Sequence, residues 1–98
     1  MIKRFFKVEI SKSFITFNFE DGKLISVNYS TSERSLNKNV LQGKIIELKR
    51  TDKKFFDEVK ELLRRIFKYN RSAFNELCKF VKETKDIEFR NILKLYIE

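Results

Sequence analysis

From Gly43 to Phe67 the chain reads GKIIELKRTDKKFFDEVKELLRRIF, and the hydrophobic period changes partway along it. In Gly43-Lys44-Ile45-Ile46-Glu47-Leu48, Ile46 and Leu48 stand two residues apart, as on the inward face of a strand. From there on the apolar residues fall at Phe55, Phe56, Val59, Leu62, Leu63, Ile66 and Phe67, spacings of three and four that make one helical stripe. Asp57, Glu58 and Glu61 come early and Arg64, Arg65 and Lys68 late, which suits the helix dipole. Thr51 or Asp52 is the expected cap. A strand therefore runs directly into an amphipathic helix.

Working upstream, three more segments alternate with period two. Phe6, Val8 and Ile10 oppose Phe5, Lys7 and Glu9. Ile15, Phe17 and Phe19 oppose Phe14, Thr16, Asn18 and Glu20, and Ile25, Val27 and Tyr29 oppose Leu24, Ser26 and Asn28. A two-residue Asp21-Gly22 loop would pair Phe17 with Ser26 and mix the faces. A three-residue loop of Glu20, Asp21 and Gly22 pairs Phe17 with Ile25 and Ile15 with Val27, so that reading is preferred. For the first connection, a four-residue loop from Ser11 to Phe14 sets Ile10 opposite Ile15. Residues 31–43 read as a flexible polar connection, around Leu36, Val40 and Leu41, that enters the fourth strand near Val40 or Gly43.

Downstream, Asn70 stops the first helix. Ser72 starts a second, carried by Phe74, Leu77, Cys78 and Val81 through about Thr84. Phe89, Ile92, Leu93 and Tyr96 fit a third helix capped by Asp86; Leu93, Leu95 and Ile97 would fit a closing strand instead. The expected fold class is α+β: a four-stranded antiparallel meander over residues 3–49, followed over 52–98 by two or three amphipathic helices packed on one face. With 98 residues there is room for a single domain and one core.

Composition limits the chemistry. A hydrophobic fraction of 42% with eleven Phe is enough to build that core without metal or disulfide staples. Cys78 is alone and His is absent, which removes an intrachain disulfide, the multi-thiolate zinc sites and every Ser/Cys–His pair. No catalytic residue, metal or cofactor is expected. On its apolar stripe Cys78 reads as a buried, inert thiol. No stretch approaches the roughly 18 apolar residues of a membrane span, and charge is spread through the first ten residues. A cytoplasmic protein without a membrane partner is the expectation.

The net charge is +8, from 22 basic and 14 acidic residues. Like charge on a small domain repels itself, and a polyanion relieves that repulsion. Lys, Asn, Ile, Phe and Tyr make up 46 of 98 residues, a composition that AT-rich coding also produces, so charge alone does not assign nucleic-acid binding.

Patterning supplies the sharper candidate. If the helices cover the row containing Val8, Phe17 and Val27, the opposite face is left with Phe5, Lys7, Phe14, Thr16, Asn18, Ser26 and Asn28. Rings that stack bases, cations that neutralise phosphate and amides that reach base edges are the chemistry of single-strand binding, to DNA or RNA. Lys44, Lys49 and Arg50 near the strand-to-helix junction extend the candidate set. The competing reading is an ordinary solvated face. Glu47-Leu48-Lys49 also resembles the acidic-x-Lys ending of restriction-type nucleases, in which a carboxylate holds Mg²⁺. That pattern needs a second carboxylate on a neighbouring strand, and Asp21 in its turn is the nearest.

Gly43, Lys44, Ile46 and Leu48, followed by Phe55 or Phe56 and by Leu62 and Leu63, are similar to the last strand and helix of the transcriptional-coactivator, Whirly and Pur-type group of single-strand binders. Arg4-Phe5-Phe6-Lys7-Val8 suits that group's first strand. The resemblance spans residues 3–68 and implies a homodimer that binds single strands on its sheet. The group's second Gly and its Gly-rich basic approach to the strand are absent here, and residues 70–98 have no counterpart. A protein-interaction or inhibitor module from a virus or mobile element is the alternative of a different class.

Overall fold

A computed structural model of the chain describes residues 1–11, 13–34 and 41–95, with side chains of 31–34 and 41–44 left out. Four strands, β1 (Lys3–Ile10), β2 (Ser13–Glu20), β3 (Lys23–Arg34) and β4 (Leu41–Lys49), precede three helices, α1 (Phe55–Tyr69), α2 (Arg71–Lys82) and α3 (Ile87–Lys94). The strands form one antiparallel meander in sequence order. Among the described residues no helix is long and apolar enough to cross a membrane.

The core lies between one sheet face and the helices. Val8, Ile15, Phe17, Phe19, Leu24 and Val27 are buried against Phe55, Val59, Leu63, Ile66, Phe74, Leu77 and Phe89. Two amphipathic patterns of different period each needed a partner surface, and each covers the other. Asn70 makes the corner between the first two helices. Its backbone N–H closes α1 on Ile66, its side-chain oxygen accepts from Ala73 N at the start of α2, and its Nδ2 donates to the Glu9 carbonyl at 2.9 Å. Asp86 caps α3 as expected, accepting from Phe89 N, so the last segment is a helix to Lys94; Tyr96 and Ile97 lie outside the described residues.

Both hairpin turns differ from expectation. Ile10 pairs with Ser13, so the first turn is two residues long, with Ser11 at φ 53°. The register moves by two residues, which leaves every side chain on its expected face. In the second hairpin Glu20 pairs with Lys23, leaving the two-residue Asp21-Gly22 loop that the face argument rejected. Both residues have positive φ, 51° and 81°, as the tight hairpin turn that matches strand twist requires. The face conflict is removed further along. Phe19 pairs with Leu24 but Asn18 pairs with Ser26, so Ile25 is an extra residue in β3. That bulge turns both Leu24 and Val27 inward, and Leu24 takes the core place expected of Ile25.

Two more expectations are corrected. Thr31–Arg34 belong to β3 rather than to a connection, because β3 and β4 pair as far as Arg34 opposite Leu41, and β4 begins at Leu41, between the two entry points expected for it. Residues 35–40, with Leu36 and Val40, lie outside the described residues. Neither Thr51 nor Asp52 caps α1 with its side chain. Its N-cap is Lys54, and the chain reaches it through a turn in which Asp52 N donates to Lys49 O and Phe55 N to Asp52 O. The strand end and the helix start lie in different layers, and that turn spans the step between them.

Candidate nucleic-acid interface

The register places the candidate side chains in cross-strand rows on the sheet face that the helices leave open. Phe5, Asn18, Ser26 and Lys49 form one row; Lys7, Thr16, Asn28 and Glu47 form the next. Phe14 continues the face opposite Glu9, and Ile45 does so opposite Ser30. All side chains in these rows point away from the core because successive strand residues alternate.

Position across the sheet decides exposure. Phe5 on the edge strand β1 is 66% exposed, Phe14 near the end of β2 is 41% exposed, and Ile45 on β4 is 75% exposed. In the middle, Thr16, Asn18 and Asn28 are half-buried by their neighbours, and Ser26 is buried at 8%. Asn18 Nδ2 donates to Ser26 Oγ at 2.9 Å and lies 3.5 Å from Asn28 Oδ1. This leaves the Asn18 carbonyl oxygen and the Asn28 amide nitrogen without a hydrogen bond to any described residue, facing outward with one acceptor and one donor. Lys7 Nζ stands 4.6 Å from the centroid of the Phe14 ring, an attraction between the ammonium and the ring quadrupole. Ser30 Oγ accepts from Phe14 N at 2.9 Å and steadies that strand end.

Of the candidate residues, Phe5, Lys7, Phe14, Thr16, Asn18, Ser26, Asn28 and Lys49 share this face. The Lys44 side chain lies outside the described residues; its backbone pairs opposite Thr31. Arg50 lies on the other side of the sheet. Its Nη1 donates to Asp86 Oδ2 at 2.7 Å and to the Leu24 carbonyl at 2.8 Å, and its guanidinium lies over the Phe56 ring at 5.2 Å. Burial pushes the Asp86 carboxyl up, but hydrogen bonds from Arg50 and from the Leu24 and Phe89 N–H groups outweigh it and hold the group below the usual carboxylate range. The hydrogen bond to Asp86 raises Arg50 in turn.

Alternation in the sequence put Glu9 and Glu20 on this face, but the candidate set took in neither of them, nor Glu47. Glu9 and Glu47 stand among Lys7 and Lys49, and Lys3 pairs with Glu20 at 3.8 Å. The net positive charge is therefore not gathered on the described part of the face. Alternation from Lys7 to Glu9 and from Glu47 to Lys49 carried that signal. Ile45 was hidden by standing next to Ile46. Among the described residues the nuclease pattern finds no second carboxylate beside it: Glu47 pairs opposite Asn28, and Asp21 accepts from Ile2 N at 3.0 Å at the far turn. Cys78 is half-buried, and burial pushes its thiol up against the opposing effect of Lys82. Among the described residues no three or more His, Cys, Asp or Glu side chains are grouped as metal ligands.

Comparison with protein-family models, with curated proteins and with solved structures gives no match.

Proposed function

We propose that the chain is a cytoplasmic, non-enzymatic protein that binds single-stranded nucleic acid on the open sheet face. The observation that carries the reading is the pairing of two exposed rings, Phe5 and Phe14, with a central amide and hydroxyl row on a face no helix covers. Unpaired bases can stack on such rings, and each stacked ring contributes about 1–3 kcal/mol. The outward acceptor of Asn18 and donor of Asn28 suit base edges of either kind, which favours binding with little sequence preference. Lys7 and Lys49 supply phosphate contacts, whereas alternation along β4 puts Lys44, next to Ile45, out of phase with the open-face rows. A strand-to-helix order similar to the Whirly and Pur-type group supports the same reading. Anisotropy of a short labelled strand, competed with unlabelled single strand and with duplex, tests it. Preference for the single strand is the expected result, because bases paired within a duplex cannot reach the rings. Equal competition by duplex sinks the reading.

One observation favours a second reading, in which a second copy covers this face. Stacking two such sheets about a two-fold axis parallel to the strands, between β2 and β3, sets Lys7 of one copy opposite Glu47 of the other and Thr16 opposite Asn28, by the register alone. Ile45 would lose its exposure in the same contact. A monomer at high concentration in sedimentation equilibrium argues against this arrangement; a dimer that single strand dissociates would join the two readings.

A further inference from the structure

On the helix side of the sheet, between the β1–β2 turn and the second half of α1, lies an open cleft of about 380 Å³. Ser13 and Tyr29 line it from the sheet, Ser11 from the turn, and Leu62, Arg65 and Tyr69 from successive turns of α1. A second hollow of about 390 Å³ shares Tyr29, Leu62 and Arg65 with it, and its other wall carries Asp57, Glu58 and Glu61. The open-face reading uses none of these side chains.

The two ends of this space differ in charge, and Arg65 stands where the two hollows meet. Arg65 is exposed and makes no hydrogen bond or ion pair with any described residue, so its planar fork of donors is available to a phosphate. Lys68 Nζ, 5.3 Å from the Tyr69 ring centroid, adds positive charge nearby. Ser11 and Ser13 add hydroxyls on the turn side of Arg65. Tyr29, shared by both hollows, and Tyr69, in the first cleft, give aromatic surface, and neither phenol has a hydrogen-bond partner among the described residues. At the far end, Asp57, Glu58 and Glu61 repel a second anion but accept hydrogen bonds from hydroxyl and amino groups. A ligand that fits has one doubly charged anionic end, an aromatic body and a neutral end rich in donors. The cleft volume is in the range of ordinary small-molecule sites.

We propose that this cleft binds a nucleoside monophosphate, with its phosphate on Arg65 and the serine hydroxyls and its base against the tyrosines. Calorimetric titration of the full chain with AMP, adenosine and inorganic phosphate is the test. AMP is expected to bind saturably, and adenosine and phosphate each at least about tenfold more weakly, since each keeps only one end of the recognition. Arg65→Ala should weaken AMP about tenfold or more without changing the thermal melt, because Arg65 is exposed. Tyr69→Ala should weaken AMP and adenosine alike. Phe5→Ala and Phe14→Ala should leave AMP binding unchanged, which separates this cleft from the open face. No saturable binding of AMP at millimolar concentration, phosphate binding as tightly as AMP, or an unchanged affinity in Arg65→Ala would each overturn the proposal.

Discussion

Arg50 and Asp86, 36 residues apart in the chain, pair with each other and together hold the backbone N–H and carbonyl of Leu24. Asp86 Oδ2 accepts from Leu24 N at 2.8 Å while Arg50 Nη1 donates to the Leu24 carbonyl at 2.8 Å. The last paired residues of β3 and β4 on this side are Ser26 and Lys49, so the buried backbone at Leu24 and Ile25 needs other partners. The ion pair satisfies Leu24, and Arg50 N donates to the Ile25 carbonyl at 2.9 Å. Replacing Asp86 by Ala takes the buried carboxylate from Arg50, which keeps the Leu24 carbonyl and the exposed Glu88 at 3.6 Å, and leaves Leu24 N and the start of α3 unpaired. A loss on the order of 3–5 kcal/mol is expected in urea unfolding. A loss under about 1 kcal/mol would show that the clamp is incidental.

The same carboxylate gives stability a pH dependence. Its folded pKa lies below the ordinary unfolded value of about 3.9 for Asp. The contribution is therefore complete above that unfolded value and is lost as pH falls through the lower, folded one. Unfolding free energy should drop on acidification below about pH 4, and Asp86→Asn should flatten part of that drop. An identical acid slope in the two proteins would assign the loss to other carboxylates.

Gly22 sits at φ 81°, and a Cβ built there would lie 3.5 Å from the Lys85 backbone nitrogen. The space is ordinary but the backbone conformation is not. Gly22→Ala should cost about 1–2 kcal/mol, from the left-handed conformation rather than from a clash. A melt unchanged by that substitution would mean that the turn relaxes to another type.

These particulars also show what the residues disclosed before the structure did. The alternation in β1 and β2 and the helical stripe from Phe55 carry their own period, so the faces, the order of elements and the open-face row were legible. Loop length was not, because a shift of two residues in the first hairpin preserves every face and so leaves no trace in the pattern. The bulge at Ile25 was hidden for a related reason: Leu24, Ile25 and Val27 are all apolar, and only the pairing shows which of them turns inward. Arg50 looked like part of a basic run because its partner is 36 residues away, and hydrophobic periodicity says nothing about such ion pairs.

The open face should bind chiefly by stacking, because Glu9 and Glu47 offset its lysines. Phe5→Ala and Phe14→Ala should each weaken a short single strand by about 5- to 150-fold, the span of 1–3 kcal/mol per ring. With Lys7 and Lys49 as the phosphate contacts, the slope of log affinity against log salt should be shallow, about −1 to −2. Anisotropy titrations at several salt concentrations give both quantities. A slope steeper than about −4 would move the binding site to the more basic helical surface.

The central claim is a location, and amide chemical-shift mapping with a short oligothymidylate addresses it without substitution. The account predicts that the perturbed amides gather on β1 and β2 and the paired part of β3, around Phe5, Lys7, Phe14, Asn18 and Asn28, while α2 and α3 stay unchanged. Perturbations confined to the helices, or none at low salt, would contradict it.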